Sequence, residues 1–182
     1  MTIFTSAGHN PKGVKTDSGA IGINGIRECD KTVEFRDLVN EALKPYNQKV
    51  ISDYDDETLG QYLRRIQTGS GSVVGEFHFD AFNGKATGAS SIVGNDADRL
   101  DKAFAKEGVD LISEIFGIAN RGVITESDSH RGRLGLMRET GTVALFELGF
   151  IDNPNDMERY EKFKHCLAER FAELFVKFEK MV

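Results

Sequence analysis

Residues 142–150 read TVALFELGF, an almost continuous apolar run that is interrupted by one acid, Glu147. A short run of this composition predicts a buried strand over residues 142–148, in a sheet that is covered on both faces. A carboxylate is costly to bury there without a partner, and burial raises its pKa until the group is neutral. The acid therefore indicates a polar site that faces this strand.

Strands and helices alternate along the rest of the chain. Apolar runs predict further strands over residues 2–6, 49–52, 72–79 and 134–138. Helical spacing of apolar residues predicts helices over residues 27–43, 56–69 and 95–118, the last opened by Asn95. A final helix is predicted after Asn153 as N-cap, with Pro154 at its first position.

This alternation predicts an α/β fold. We expect a mainly parallel, twisted sheet of about six strands with helices on both of its faces. The chain has 182 residues and 40% hydrophobic content, which suits one domain over residues 1–182.

Charge and composition limit the partners. The net charge of -6 argues against nucleic acid or an anionic membrane surface as the main partner, because both attract an excess of Lys and Arg. The two cysteines show no disulfide pattern, and we expect reduced thiols. The first residues lack the pattern of a signal peptide and no apolar run matches a membrane helix, so we expect synthesis in the cytoplasm.

Polar residues follow apolar strands at three places, at His9, His78 and Glu147, and Glu28 opens the first helix after a Gly-rich loop. Ligands in open α/β sheets bind at the carboxyl ends of the strands, where these residues converge. Two imidazoles and a carboxylate are a common catalytic zinc set. A second carboxylate beside the metal suits proton transfer from water. Taken singly, each histidine is also compatible with a structural role.

Six motifs along nearly the whole chain extend this pattern: SAGHNPKG, DSGAIGINGIRE, LGQYLRR, EFHFDA, RLGLMRET and ALFELGFIDNPND. In these motifs the sequence resembles the zinc-dependent N-acetylmuramoyl-L-alanine amidases of bacterial autolysins and many phage endolysins. The resemblance implies that His9, Glu28 and His78 hold Zn²⁺ and that Glu147 assists the reacting water. It also implies a peptidoglycan (muropeptide) substrate, cleaved at the amide between N-acetylmuramic acid and L-alanine.

Several positions depart from the family or leave a choice. Glu76 replaces a frequent Ser and, by strand alternation, lies on the same face as His78. It could orient His78, hold a substrate amine or point away. Asp80 replaces a frequent Asn and is a candidate substrate contact. Arg138 is expected to bind a substrate carboxylate or to anchor its strand. The loop that carries His130 could also reach the site.

The resemblance and the absence of an export signal favour a phage endolysin that a holin releases to act on the cell wall. We expect a monomer without an obligate protein partner. Two alternatives remain at this stage, a zinc peptidase that acts on the stem peptides of the wall and a non-catalytic peptidoglycan-binding module.

Overall fold

The structure is a computed structural model, which describes residues 1–129 and 131–181. It contains a six-stranded sheet with the strand order β2-β1-β3-β6-β4-β5. The strands are β1 (Thr2–Ala7), β2 (Val50–Ser52), β3 (Ser72–Asp80), β4 (Ala89–Val93), β5 (Asn120–Thr125) and β6 (Thr142–Phe150). All neighbouring strands are parallel except β4 and β6, which are antiparallel. The predicted mainly parallel sheet is confirmed.

Helices cover both faces of the sheet, as predicted, but unequally. They are α1 (Glu28–Leu43), α2 (Leu59–Arg65), α3 (Arg99–Phe116) and α4 (Pro154–Glu179). The long helices α1, α3 and α4 share the larger hydrophobic core with one face of the sheet, which we call the packed face. The short helix α2 and a 3₁₀ helix, Leu136–Arg138, share a smaller core with the other face, which we call the open face.

Aromatic side chains fill the packed face. Phe77 and Phe146 come from adjacent strands and make edge-to-face contacts with Phe171 of α4 at centroid distances of 5.3 and 4.9 Å. Helix α3 approaches so closely that a Cβ atom on Gly108 would lie 2.1 Å from the Phe146 ring. A packed aromatic core of this kind supplies most of the apolar burial of the fold.

On the open face, the strands change character along their length. Near the start of the strands this face is apolar, with Phe4, Val74 and Leu145 in the smaller core. Two or more residues later the same face carries buried polar side chains. These are Ser6 of β1, Glu76 and His78 of β3, and Glu147 of β6. Ser90, near the start of the antiparallel strand β4, pairs with Glu147. The polar stripe lies at the carboxyl ends of β1, β3 and β6.

The sequence assigned one segment wrongly and did not predict two of the strands. The strand predicted over residues 134–138 is the 3₁₀ helix, whose Leu136 is buried against the open face. Strands β4 and β5 were not predicted, because their short sequences carry Ser90, Ser91 and Gly122 instead of a long apolar run. They complete the sheet because β4 pairs with β6 and β5 pairs with β4.

Helix boundaries follow local capping. The N-cap of α3 is Asp98 rather than the predicted Asn95, because Asp98 and Asp101 form a reciprocal capping box. The predicted cap of α4 is confirmed, since the Asn153 side chain accepts hydrogen bonds from two backbone N–H groups of the first turn. Within residues 1–129 and 131–181, no helix combines the length and apolarity that a membrane crossing requires.

Candidate metal centre

Three side chains from three separate elements converge at the carboxyl edge of the sheet. His9 lies in the turn after β1, Glu28 is the first residue of α1, and His78 lies near the end of β3. Each offers a donor atom, and these atoms all lie within 4.8 Å of one another. The convergence that the sequence predicted is therefore present.

The turn that carries His9 is held by several polar contacts. His9 has a left-handed backbone, with φ of 68°, which is uncommon for a residue with a side chain. The Thr32 hydroxyl of α1 donates to the carbonyl of Gly8 at 2.6 Å, and the Asn10 amide donates to the carbonyl of Lys15 at 2.7 Å. A Cβ atom on Gly8 would lie 2.3 Å from the His78 ring, so only glycine leaves room for both imidazoles.

The Glu28 carboxylate bridges the two imidazoles. Its Oε2 lies 3.2 Å from Nε2 of His9, and its Oε1 lies 2.9 Å from Nδ1 of His78. The backbone N–H groups of Ala20 and Phe79 donate to the same two oxygens at 2.8 and 3.0 Å. Both oxygens are thereby fixed in position before any ligand binds.

The electrostatics of this trio favour a cation. Burial alone would raise the pKa of Glu28, but hydrogen bonds to His78 and His9 hold it well below its ordinary value. Burial alone would lower the pKa of His78, but hydrogen bonds to Glu28 and Glu76 raise it to about 10. In the metal-free protein a proton on His78 therefore supplies positive charge that a metal ion can replace.

The donor set suits zinc. Two imidazole nitrogens and one carboxylate oxygen are typical protein ligands of catalytic Zn²⁺. Ligands about 2 Å from a tetrahedral metal lie about 3.3 Å from one another. Each imidazole lies near that distance from one Glu28 oxygen, 3.2 Å from Oε2 for His9 and 2.9 Å from Oε1 for His78.

Glu147 lies beside the trio but outside it. It pairs in register with His78 across β3 and β6 and lies on the same face. Its side chain is 1% exposed, and among the described residues neither carboxylate oxygen has a hydrogen-bond partner of acceptable geometry. Burial raises the pKa of Glu147 to about 7. A buried carboxylate of this kind is typical of an acid or base in a functional site.

Arg131 forms an ion pair with Glu147. Its Nη2 lies 2.7 Å from Oε1 of Glu147 and 3.2 Å from Oδ1 of Asp80. The sequence did not single out Arg131, although its polar loop was noted for His130. His130 itself lies outside the described residues. Asp80 is thus placed at the site, and its predicted substrate contact stays a prediction.

Both histidines have a carboxylate at the ring nitrogen that points away from Glu28. Nδ1 of His9 lies 2.8 Å from Oδ2 of Asp17, whose side chain is 61% exposed. Nε2 of His78 lies 3.1 Å from Oε1 of Glu76, whose side chain is 4% exposed. The sequence singled out Glu76 but not Asp17.

A cleft of about 450 Å³ reaches the two imidazoles from the side of α2. Its lining comprises the His9 loop, the start of α2 and the polar stripe: His9, Asn10, Lys15, Asp17, Thr58, Leu59, Gly60, Glu76 and His78. The cleft exists because α2 covers so little of the open face. It opens the two imidazoles to solvent.

Arg138 lies elsewhere. It ends the 3₁₀ helix near the start of β6 and lines a separate cavity of about 490 Å³, together with Asp101 and Glu126. The trio lies near the other end of that strand, because His78 pairs with Glu147. This location suits the predicted strand anchor better than the predicted substrate contact, and both roles stay predictions.

The loop between β3 and β4, which we call the rim loop, begins directly after Asp80, and the start of α4 holds it. Asp152 Oδ2 accepts hydrogen bonds from the backbone N–H groups of Phe82 and Gly84 at 3.0 and 2.8 Å. Asp156 accepts from the hydroxyl of Thr87 and from the N–H of Gly88. The loop is exposed yet tightly bonded.

A family profile described as N-acetylmuramoyl-L-alanine amidase matches residues 3–173. No curated protein matches the chain.

Solved structures share the fold. Cwp6 from Clostridium difficile superposes with a TM-score of 0.81 and 22% identity; the match covers 97% of this chain but only 29% of Cwp6. An N-acetylmuramoyl-L-alanine amidase from Clostridium difficile 630 superposes with a TM-score of 0.79 and 21% identity. The match covers 98% of this chain and 96% of that protein. The catalytic domain of the CD27L endolysin targeting Clostridia difficile superposes with a TM-score of 0.73 and 20% identity. The match covers 99% of this chain and 97% of that domain.

Proposed function

Because the chain belongs to the N-acetylmuramoyl-L-alanine amidase family, we propose that it hydrolyses peptidoglycan with a zinc ion held by His9, Glu28 and His78. The bond cleaved is the amide between the lactyl group of N-acetylmuramic acid and L-alanine. The observation that carries this proposal is the buried Glu147, which lies beside a ready donor set without being part of it.

The residues divide the chemistry between them. Bound zinc supplies a Lewis acid that polarises a carbonyl and lowers the pKa of water. Glu147 accepts the proton of the attacking water and returns it to the alanine nitrogen as that nitrogen leaves. Its low exposure keeps bulk water from competing for the carboxylate. Arg131 favours the ionised form of Glu147 that can accept a proton.

Analysis of reaction products tests the proposal. Purified peptidoglycan is incubated with zinc-loaded protein, with chelator-treated protein and with the Glu147→Ala variant, and the released fragments are identified by mass spectrometry. We expect free stem peptides with an N-terminal alanine from the zinc-loaded protein alone. Shortened stems that stay attached to sugar would instead indicate a peptidase. No metal-dependent product from several wall types would indicate a binding module.

The finer role that we propose is host-cell lysis as a phage endolysin, acting on the wall after release through a holin. The sequence motifs are compatible with this role, because the family that they resemble includes many phage endolysins as well as bacterial autolysins. Expression inside bacterial cells tests it, because lysis is expected only when a holin is co-expressed and only when Glu147 is intact. A protein that cleaves purified peptidoglycan but never lyses cells under these conditions would contradict the endolysin role. Size-exclusion chromatography of the same protein checks the expected monomer.

A further inference from the structure

Glu76 is a buried carboxylate that the proposed reaction does not use. It lies on β3 two residues before His78, and both side chains point to the open face. Its residue exposure is 3%, and below it on the same face the sheet is apolar. A charge in such a place is retained only where it is well bonded.

Each oxygen of Glu76 has one partner. Oε1 lies 3.1 Å from Nε2 of His78, and Oε2 accepts a hydrogen bond from the Ser6 hydroxyl at 3.0 Å. The other nitrogen of the same imidazole, Nδ1, faces Glu28. The His78 ring is therefore clamped between two carboxylates, one at each nitrogen.

We propose that Glu76 is a positioning residue that accepts the Nε2–H of His78 and so presents Nδ1 to the zinc ion. The inference rests on the proposed zinc site. A carboxylate at the far nitrogen of a metal-bound histidine selects the tautomer, orients the ring and strengthens the metal bond. Ser6 holds the second oxygen and keeps the carboxylate in line with the ring. With both oxygens engaged, Glu76 is poorly placed to bind a substrate amine.

The His9 side of the site provides an internal comparison. Asp17 contacts Nδ1 of His9 in the same way, but its side chain is 61% exposed. Water can replace an exposed carboxylate as hydrogen-bond acceptor, whereas the Glu76 side chain, although it lines the cleft, is only 4% exposed. The two carboxylates should therefore differ in how much they contribute to metal affinity.

Zinc affinity tests the inference directly. The zinc dissociation constant is measured at one pH by competition with a chromogenic chelator, for the unsubstituted protein and for Glu76→Ala, Glu76→Gln and Asp17→Asn. We expect Glu76→Ala to bind zinc about 10–100-fold more weakly. The loss in Glu76→Gln is expected to be smaller, because the amide oxygen still accepts the Nε2–H. Asp17→Asn is expected to change affinity least.

Two further measurements separate positioning from a general structural role. Glu126→Gln, which alters another buried glutamate away from the trio, is the matched control and should leave zinc affinity unchanged. Nitrogen NMR of His78 in the zinc-loaded protein should show a protonated Nε2, with that signal shifted in Glu76→Gln. Thermal unfolding of the metal-free variants checks that each is folded. If Glu76→Ala does not fold, the isosteric variant Glu76→Gln still tests the inference.

Equal zinc affinity in Glu76→Gln, Glu76→Ala and the unsubstituted protein would overturn the inference, as would a rise in KM for peptidoglycan with zinc affinity unchanged. If the unsubstituted protein itself bound no zinc, or bound it independently of His9 and Glu28, the proposed zinc site would fail and the inference with it. The two failures are thus distinguishable.

Discussion

Phe146 and Glu147 are neighbours in β6, yet their side chains lie on opposite faces of the sheet and in opposite surroundings. Phe146 is fully buried among aromatic rings from β3, α3 and α4. Glu147 is equally buried, but on the open face, where neither carboxylate oxygen has a well-formed hydrogen bond among the described residues. One face of the strand therefore stabilises the fold, while the other keeps a reactive group at some cost in stability.

This contrast is possible because side chains alternate along a strand. The same backbone can be held rigidly by its packed face and still present polar groups on its open face. The polar stripe does not need to stabilise itself, since α1, α3 and α4 already fix the strands that carry it. A rigid support of this kind maintains the short distances that a metal site requires.

The largest expected effect comes from a substitution on the open face, which removes the carboxylate of Glu147. Glu147→Ala should lower turnover of peptidoglycan by about 10²–10⁴-fold, the usual contribution of a general base. The zinc content should stay unchanged, because Glu147 is not one of the three donors. Turnover assays and metal analysis of the same preparation check both statements. Loss of zinc together with activity would make Glu147 a ligand and contradict the assigned role.

The second prediction concerns a substitution on the packed face, at the adjacent residue Phe146. Phe146→Ala should lower the free energy of unfolding by about 3–5 kcal/mol, because a cavity replaces a fully buried ring. Urea unfolding measures the loss. Molecules that remain folded should keep the donor geometry of the trio and hence bind zinc. An effect below about 1 kcal/mol would mean that the packed face is not the main source of stability.

The third prediction concerns the pH dependence of stability that the buried Glu147 causes. In the metal-free protein burial raises the pKa of Glu147 from 4.5 to about 7. Its contribution to stability is therefore fully present below about pH 4.5 and is lost as pH rises through about 7. Glu147→Gln cannot ionise, so its stability relative to the unsubstituted protein should increase across this window, by about 3 kcal/mol.

Urea unfolding of the two chelator-treated proteins at several pH values between 4 and 8 tests this expectation. Glu126→Gln serves as the control for replacing a buried glutamate elsewhere. A stability difference that is constant with pH would show that Glu147 ionises in the folded protein as easily as in the unfolded chain.

The smallest expected effect concerns α2, the short helix that packs on the open face. Thr58 is the N-cap of α2 and forms a reciprocal capping box with Gln61. Thr58→Ala should lower the free energy of unfolding by about 1 kcal/mol. The capping residue of α3 on the packed face offers a matched change, Asp98→Ala. Because α2 lines the cleft, Thr58→Ala should also alter KM for peptidoglycan, whereas Asp98→Ala should not. Equal kinetic effects would show that α2 does not shape substrate access.

The sequence sufficed for the parts of the molecule that repeat a simple pattern. Strands β1, β3 and β6 are rich in apolar residues, and the polar residues at their ends pointed to His9, His78 and Glu147 as a converging set. Strand alternation also placed Glu76 correctly on the face of His78. These inferences needed only the period of a strand and the rule that ligands bind at strand ends.

The remainder depends on contacts between distant segments. Strand β4 pairs with β6 and strand β5 pairs with β4, and nothing in their own short sequences requires this pairing. The segment 134–138 has apolar residues like a strand, but it folds as a 3₁₀ helix that closes the smaller core. Arg131 reaches Glu147 from a loop without any sequence period, so no local pattern could have placed it there.

The rim loop between β3 and β4 has a practical consequence for engineering the protein. By its sequence, AFNGKATG at residues 81–88, it resembles a free surface turn where a foreign segment could be inserted. Its backbone is instead bonded to Asp152, Asn153 and Asp156 at the start of α4. A graft at this point must reproduce those bonds, because it would otherwise detach the rim from the longest helix of the fold.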